Sequence, residues 1–118
     1  MRWFKTTPFP VVYCICSMKE LQEWCIKRKQ PFPEVPSSFV GITATIGARI
    51  FVVVLPDKHK KPWEMTDTII HESVHVFQGI QQYIGETVIG AEVQAYTIAA
   101  IATNLLKEYD ALHEKWKA

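Results

Sequence analysis

The stretch TDTIIHESVHVFQGIQQYI, residues 66–84, decides the fold that this chain is expected to adopt. Its apolar residues recur at intervals of three and four, the spacing of one face of an α-helix. They are Ile69, Ile70, Val74, Phe77 and Ile80. Thr66 or Asp67 is expected to cap the start of the helix, and Gly85 to end it. The sequence therefore predicts one long amphipathic helix against which the remaining elements pack.

This helix carries the motif His71-Glu72-Ser73-Val74-His75. Residues four apart lie on the same face of a helix, so His71 and His75 can offer two imidazoles to one metal ion. Glu72 lies where its carboxylate can accept a proton from a water on that ion. The alternative is a surface helix with two incidental histidines, because short motifs also arise by chance. We favour a metal site, since the motif falls inside a predicted helix.

The segments around this helix predict a small α+β domain. Residues 11–16 form a buried strand, and Ser17 with Glu20 gives a capping box that starts a helix reaching about Lys29. Residues 39–46 and 49–55 form two antiparallel strands joined by a Gly47-Ala48 turn. A final helix spans residues 89–115. The order is β-α-β-β-α-α, with a short, mainly antiparallel sheet packed on the motif helix.

Composition limits the domain count and the class of partner. A chain of 118 residues with 48% hydrophobic content predicts one domain, residues 1–118. A net charge of +1 makes nucleic-acid binding an unfavoured function, and the basic run at residues 58–61 is expected to be a solvated loop. The apolar run before Ser17 is too short to span a membrane.

The cysteines indicate the compartment. Cys14, Cys16 and Cys25 are odd in number and lack the Cys-x-x-Cys spacing of a structural zinc site. Cys14 and Cys16 alternate along a strand, so both are expected on one buried face. These features predict free thiols in a reducing compartment, the cytoplasm.

A catalytic zinc usually has three protein ligands, so the motif needs one more. Glu92, near the start of the last helix, is the best candidate, and Glu86 in the preceding turn is the second. A favourable charge in the first helical turn would also explain Glu92. Asp67 lies one turn before His71, where it could accept the free ring N–H, although helix capping explains it equally well.

His71-Glu72-Ser73-Val74-His75 followed by Glu92-Val93-Gln94-Ala95-Tyr96 resembles the gluzincin pattern of zinc metallopeptidases. The small size makes the chain similar to minimal zincin-like peptidases encoded by phages and prophages. The resemblance implies Zn²⁺ held by His71, His75 and Glu92, with Glu72 as general base. It also implies that an extended peptide substrate binds as an added strand along residues 49–55, from Arg49 to Leu55, at the edge of the sheet.

Tyr96 lies on the same helix face as Glu92. Its hydroxyl could donate to a developing oxyanion or brace a ligand, whereas a core role is the commoner one for tyrosine. The chain lacks the Asn-Glu-x-x-Ser-Asp form of the third-ligand segment seen in thermolysin-like members, having Ala91 before Glu92.

The expected function is hydrolysis of peptide bonds by a zinc metallopeptidase in the cytoplasm of a bacterium or a phage-infected host. One alternative is a catalytically silent zinc-containing module that binds a peptide or protein. Another is a nucleic-acid-associated protease or accessory factor, which the near-neutral charge disfavours. The presence of Glu72 favours the enzyme, because a binding site has no need of a carboxylate beside the water.

Overall fold

The computed structural model describes residues 1–6, 9–35, 39–56, 61–86 and 88–116, with side chains as far as residue 113. Three of the four residues of the predicted basic loop, 58–60, lie outside these ranges. The elements are β1 (Phe4–Thr6), β2 (Phe9–Ser17), α1 (Met18–Arg28), β3 (Ile42–Ile46), β4 (Ile50–Leu55), α2 (Pro62–Ile84) and α3 (Ala91–Trp116). This confirms the α+β class and the predicted order, with β1 added at the start. β1 has only three residues, too few for a periodic pattern to be recognised.

The four strands form one sheet in the order β1-β2-β4-β3. β2 and β4 are parallel, with Ile15 opposite Val53, whereas β1 pairs with β2 and β3 pairs with β4 in antiparallel fashion. A parallel pair needs a long crossover connection, and α1 lies in the segment that joins β2 to β3. The sheet is therefore mainly antiparallel with one parallel pair at its centre.

The prediction that residues 49–55 form an edge strand is wrong. β4 is paired with β2 on one side and with β3 on the other, so it has no free edge. Its continuous apolar run explains this position, because a strand covered on both faces is typical of the interior of a sheet. The edge strand on this side is β3, in which Thr43 and Thr45 alternate with apolar residues.

Helices cover both faces of the sheet. Alternate residues of β4 point to opposite faces, so Phe51 and Val53 belong to one hydrophobic cluster, whereas Val52 and Val54 belong to another. The first cluster is shared with α2 and α3, and the second with α1. The result is three layers, with α1 on one side and the α2–α3 pair on the other.

The helix ends test three further predictions. The capping box of α1 is confirmed: Ser17 Oγ accepts from the Glu20 backbone at 3.2 Å, and Glu20 Oε1 accepts from the Ser17 backbone at 3.1 Å. The prediction that Thr66 or Asp67 caps α2 is wrong, because the helix begins at Pro62. Proline suits the first helical position, because a backbone N–H at that position would have no hydrogen-bond partner within the helix. Gly85 ends α2 in the left-handed region, at φ 73°, as predicted.

The prediction that the cysteines are free thiols, with Cys14 and Cys16 on one buried face, is confirmed. All three thiols are free and buried, and Cys14 and Cys16 lie on the face of β2 that α1 covers. A hydrogen bond with Cys14, together with burial, raises the pKa of the Cys16 thiol. Such a thiol stays neutral and unreactive. Within the described ranges, none of the helices has the length and apolar character that crossing a bilayer requires.

Candidate metal centre

The motif histidines lie beside the buried face of α2. That face packs on the sheet and is formed by Met65, Ile69, Val76, Phe77 and Ile80. His71 and His75 are turned away from it and are exposed, whereas Glu72 is buried, with 5% of its surface accessible. The motif therefore presents two solvent-facing imidazoles with a carboxylate behind them.

Gly79 lets α2 lie close to the sheet at this point. A Cβ at position 79 would overlap Phe51 Cε1 and lie 2.6 Å from Cζ of the same ring. Since Phe51 is buried in β4, only a residue without a side chain permits this approach. His75 is one helical turn before Gly79, so the close approach fixes its height above the sheet.

The two imidazoles are spaced for a shared ion. His71 Nε2 and His75 Nε2 are 3.2 Å apart. Two nitrogens that each lie about 2.0–2.1 Å from a tetrahedral zinc are separated by roughly 3.3 Å, so the pair needs almost no adjustment. The two rings are close to perpendicular, with an interplanar angle of 77°.

Gln78 determines which nitrogen of His75 is free. His75 Nδ1 lies 2.8 Å from Gln78 Oε1, which can only accept a hydrogen bond, so Nδ1 carries the proton and donates. The lone pair is then on Nε2, the atom that faces His71. Metal-ligating histidines are commonly oriented through their second nitrogen in this way.

Glu72 is held by the edge strand. Thr43 Oγ1 donates to Glu72 Oε1 at 2.9 Å and lies 3.3 Å from the Glu72 backbone oxygen. The other carboxylate oxygen, Oε2, is 3.9 Å from His71 Nε2. One oxygen is therefore occupied by Thr43, and the other faces the histidine pair.

These three side chains fit a divalent metal. Among the described residues, His71, Glu72 and His75 form a group of possible metal ligands. One ligand atom from each of the three lies within 4.8 Å of the others. Imidazole and carboxylate suit zinc, but they also bind other first-row metals, so the donor set alone does not select zinc.

The other predicted site residues are not part of this cluster. Glu92 lies exposed in the first turn of α3, and Tyr96 is 74% exposed one turn later. Glu86 is exposed in the connection between α2 and α3. α2 continues nine residues beyond His75. At about 1.5 Å per residue, this carries the start of α3 roughly 13 Å along the helix axis. The third-ligand assignment to Glu92 or Glu86 and the role of Tyr96 stay predictions.

Asp67 is also exposed, and it lies in the second turn of α2 rather than at its cap. It lines a shallow depression together with His71 and Glu72. Within the described ranges, the His71 ring makes no hydrogen bond to Asp67; its Nε2 faces His75.

A cleft opens beside the histidines, between β3 and the second half of α2. Its volume is about 840 Å³. One wall includes Thr43 and Thr45, and the other includes Gln78, Gln82 and Tyr83. Apart from the three motif residues, the described residues that line the cleft carry no charged side chain. The cleft therefore places uncharged polar side chains next to the motif histidines.

Sequence reasoning missed Thr43 and Gln78. The signal for Gln78 was its position three residues after His75, which places it on the same side of the helix. The signal for Thr43 was weaker: it and Thr45 are the polar residues of an otherwise apolar strand, and they point towards α2. Neither pattern identifies which atom the side chain contacts.

No protein-family model, curated protein or solved structure matches the chain. The functional conclusion therefore rests on the geometry of the site.

Proposed function

We propose that this protein is a zinc-dependent metallopeptidase that hydrolyses peptide bonds. The observation that carries the proposal is the placement of Glu72. Its Oε2 atom faces the paired Nε2 atoms of His71 and His75, and its Oε1 atom is engaged by Thr43. A buried carboxylate with one oxygen directed at a two-histidine cluster is the arrangement that a general base beside a metal requires.

The chain's own residues account for the proton transfers. His71 and His75 would hold the zinc, which when bound supplies a Lewis acid and lowers the pKa of a nearby water. Glu72 Oε2 accepts the proton of the attacking water and then delivers it to the amine of the departing product. The second oxygen of Glu72, Oε1, accepts a hydrogen bond from Thr43.

The substrate on this proposal is an extended peptide that lies along β3. This strand is paired with β4 on one side and is at the edge of the sheet on the other. A peptide that adds to this edge gains main-chain hydrogen bonds, and it passes the cleft where β3 faces the motif helix. The substrate strand is therefore β3 rather than residues 49–55.

We also propose that the protein acts in the cytoplasm of a bacterium or phage-infected host. Three buried, free thiols support a reducing compartment. The net charge of +1 argues against nucleic acid as the main partner.

Replacing Glu72 by Gln tests the mechanism. The amide has nearly the same shape but cannot accept the proton, so peptide cleavage should fall by a factor of about 10² or more while zinc content and folding are kept. Cleavage of a peptide library by the zinc-loaded protein, read by mass spectrometry, measures the effect. Glu23→Gln is the matched control, because Glu23 is exposed on α1 at the opposite face of the sheet.

One observation favours a second candidate, a zinc-containing module that binds a peptide without cleaving it. The described cluster contains two histidines and the base rather than three ligands and the base. If neither the original protein nor Glu72→Gln cuts any peptide, and both bind the same peptide with equal affinity, the binding module replaces the enzyme.

A further inference from the structure

We propose that Thr43 is a positioning residue: its hydroxyl holds Oε1 of Glu72 and thereby keeps Oε2 directed at the histidine pair. This inference rests on the proposed function for its catalytic meaning. The contact itself is independent of that function, since it joins two residues far apart in the chain, 29 positions, at 2.9 Å.

The hydroxyl of Thr43 has one proton to donate, and two acceptors of Glu72 lie near it. Oε1 is closer, at 2.9 Å, than the backbone oxygen at 3.3 Å. The side-chain oxygen is therefore the main acceptor, because hydroxyl hydrogen bonds are typically about 2.7–2.8 Å long and weaken with distance. A carboxylate held at one oxygen and attached to a helix at the other end has little freedom left to rotate.

The position of the donor is itself fixed. Thr43 is paired with Val53 of β4, and its β-branched side chain has restricted rotamers. The chain enters β3 through Gly41, where a Cβ would overlap Thr68 Cγ2 and lie 3.7 Å from Glu72 Cγ. The start of β3 therefore packs closely against α2, and this packing holds the Thr43 hydroxyl next to the Glu72 carboxylate.

The contact sets which oxygen of Glu72 faces the histidines. Oε1 accepts from Thr43 at 2.9 Å, and Oε2 lies on the other side, 3.9 Å from His71 Nε2. Rotation of the carboxylate would exchange the two oxygens and break the hydrogen bond with Thr43. The hydroxyl therefore keeps Oε2 directed at the histidine pair.

Thr43→Val and Thr43→Ser test this role. Valine keeps the shape of threonine but removes the hydroxyl, whereas serine keeps the hydroxyl. Thr45→Val is the matched control, because Thr45 is on the same strand and lines the same cleft. Thr43→Ala is a second variant without the hydroxyl, in case the valine methyl groups disturb folding.

The first measurement needs neither zinc nor activity. Side-chain NMR couplings of Glu72 in the zinc-free protein should report one conformer in the original protein, in Thr43→Ser and in Thr45→Val. They should report averaging between conformers in Thr43→Val and Thr43→Ala. A single Glu72 conformer in both hydroxyl-free variants would overturn the proposal, whether or not the protein cuts peptides.

The second measurement uses a peptide that the zinc-loaded protein cleaves. Thr43→Val should lower kcat by about tenfold and leave KM and zinc content unchanged, because small misplacement of a catalytic group slows the chemical step. Thr43→Ser should restore most of the rate. An unchanged kcat in Thr43→Val would overturn the positioning role. If the original protein cuts nothing, averaging of Glu72 in Thr43→Val still supports the contact, and it is the proposed function that fails.

Discussion

The substitution Gly79→Ala sets two effects of opposite sign against each other. Alanine is favoured over glycine inside a helix by about 0.8–1.0 kcal/mol, so propensity alone predicts that the free energy of unfolding increases. The added Cβ, however, would overlap Phe51 Cε1 and lie 2.6 Å from Cζ and 3.0 Å from Cδ1. Three atoms of one rigid, buried ring are involved, so the ring cannot move aside as a flexible side chain would.

Overpacking of this kind typically costs about 1–3 kcal/mol. With three ring atoms in the way, the upper part of that range applies, and the gain in helix propensity offsets about 1 kcal/mol of it. We therefore expect Gly79→Ala to lower the free energy of unfolding by about 1–2 kcal/mol. Urea denaturation followed by circular dichroism at 222 nm measures the change.

A double-mutant cycle isolates the cause. Phe51→Leu removes the ring atoms that the new Cβ would meet, so in that background Gly79→Ala should be stabilising by up to about 1 kcal/mol. The sign of the effect should reverse between the two backgrounds. A stabilising effect of Gly79→Ala with Phe51 in place would contradict the close approach of α2 to β4 at this point.

Three further predictions concern the metal centre and the core. His75→Ala should abolish binding of one equivalent of zinc, measured by calorimetry, whereas His113→Gln should keep it. If Glu86→Ala weakens zinc binding and Glu92→Ala does not, Glu86 is the third ligand. Gln78→Leu should weaken zinc binding about 10- to 100-fold, because His75 loses the hydrogen-bond acceptor that orients its ring. Gln82→Leu, on the same cleft wall, should leave zinc binding unchanged, and equal zinc affinities of the two variants would contradict the role of Gln78. Burial raises the pKa of Tyr13, despite the opposing hydrogen bond from Asn104. The unfolded chain therefore loses the Tyr13 proton at a lower pH than the folded chain does. Protonated Tyr13 contributes its full stabilisation below about pH 10, and this contribution is lost as the pH rises through the pKa of the folded state. Stability against urea should fall less steeply above pH 10 in Tyr13→Phe, and identical slopes would contradict this account.

Local patterns predicted most of the elements because they depend on neighbours in the chain. The three- and four-residue spacing in residues 66–84 predicted α2, and Ser17 with Glu20 predicted the start of α1. The start of α2 was misplaced because Thr66 and Asp67 are both good capping residues, whereas Pro62 is also suited to a first turn. A pattern with two acceptable starts does not say which one the fold uses.

The proximity of the two motif histidines was likewise determined by the sequence. A spacing of four residues on a helix brings two imidazoles together whatever the helix packs against, which is why His71 and His75 could be identified without a fold. The same reasoning located Glu72, because it is adjacent to His71 in the chain.

Only the tertiary structure decided the strand order, the hydrogen bond from Thr43 and which side chains join the histidine cluster. An apolar strand such as β4 does not specify its two neighbours, so its interior position, with β3 at the edge, follows from how the sheet assembles. Thr43 meets Glu72 through the packing of β3 on α2. Glu92 is outside the cluster of His71, Glu72 and His75, and α2 continues past His75 before the chain turns. The sequence alone determined contacts within one helical turn, since helix geometry is the same in every fold; contacts between elements depend on which faces pack together, and that is a property of the whole chain.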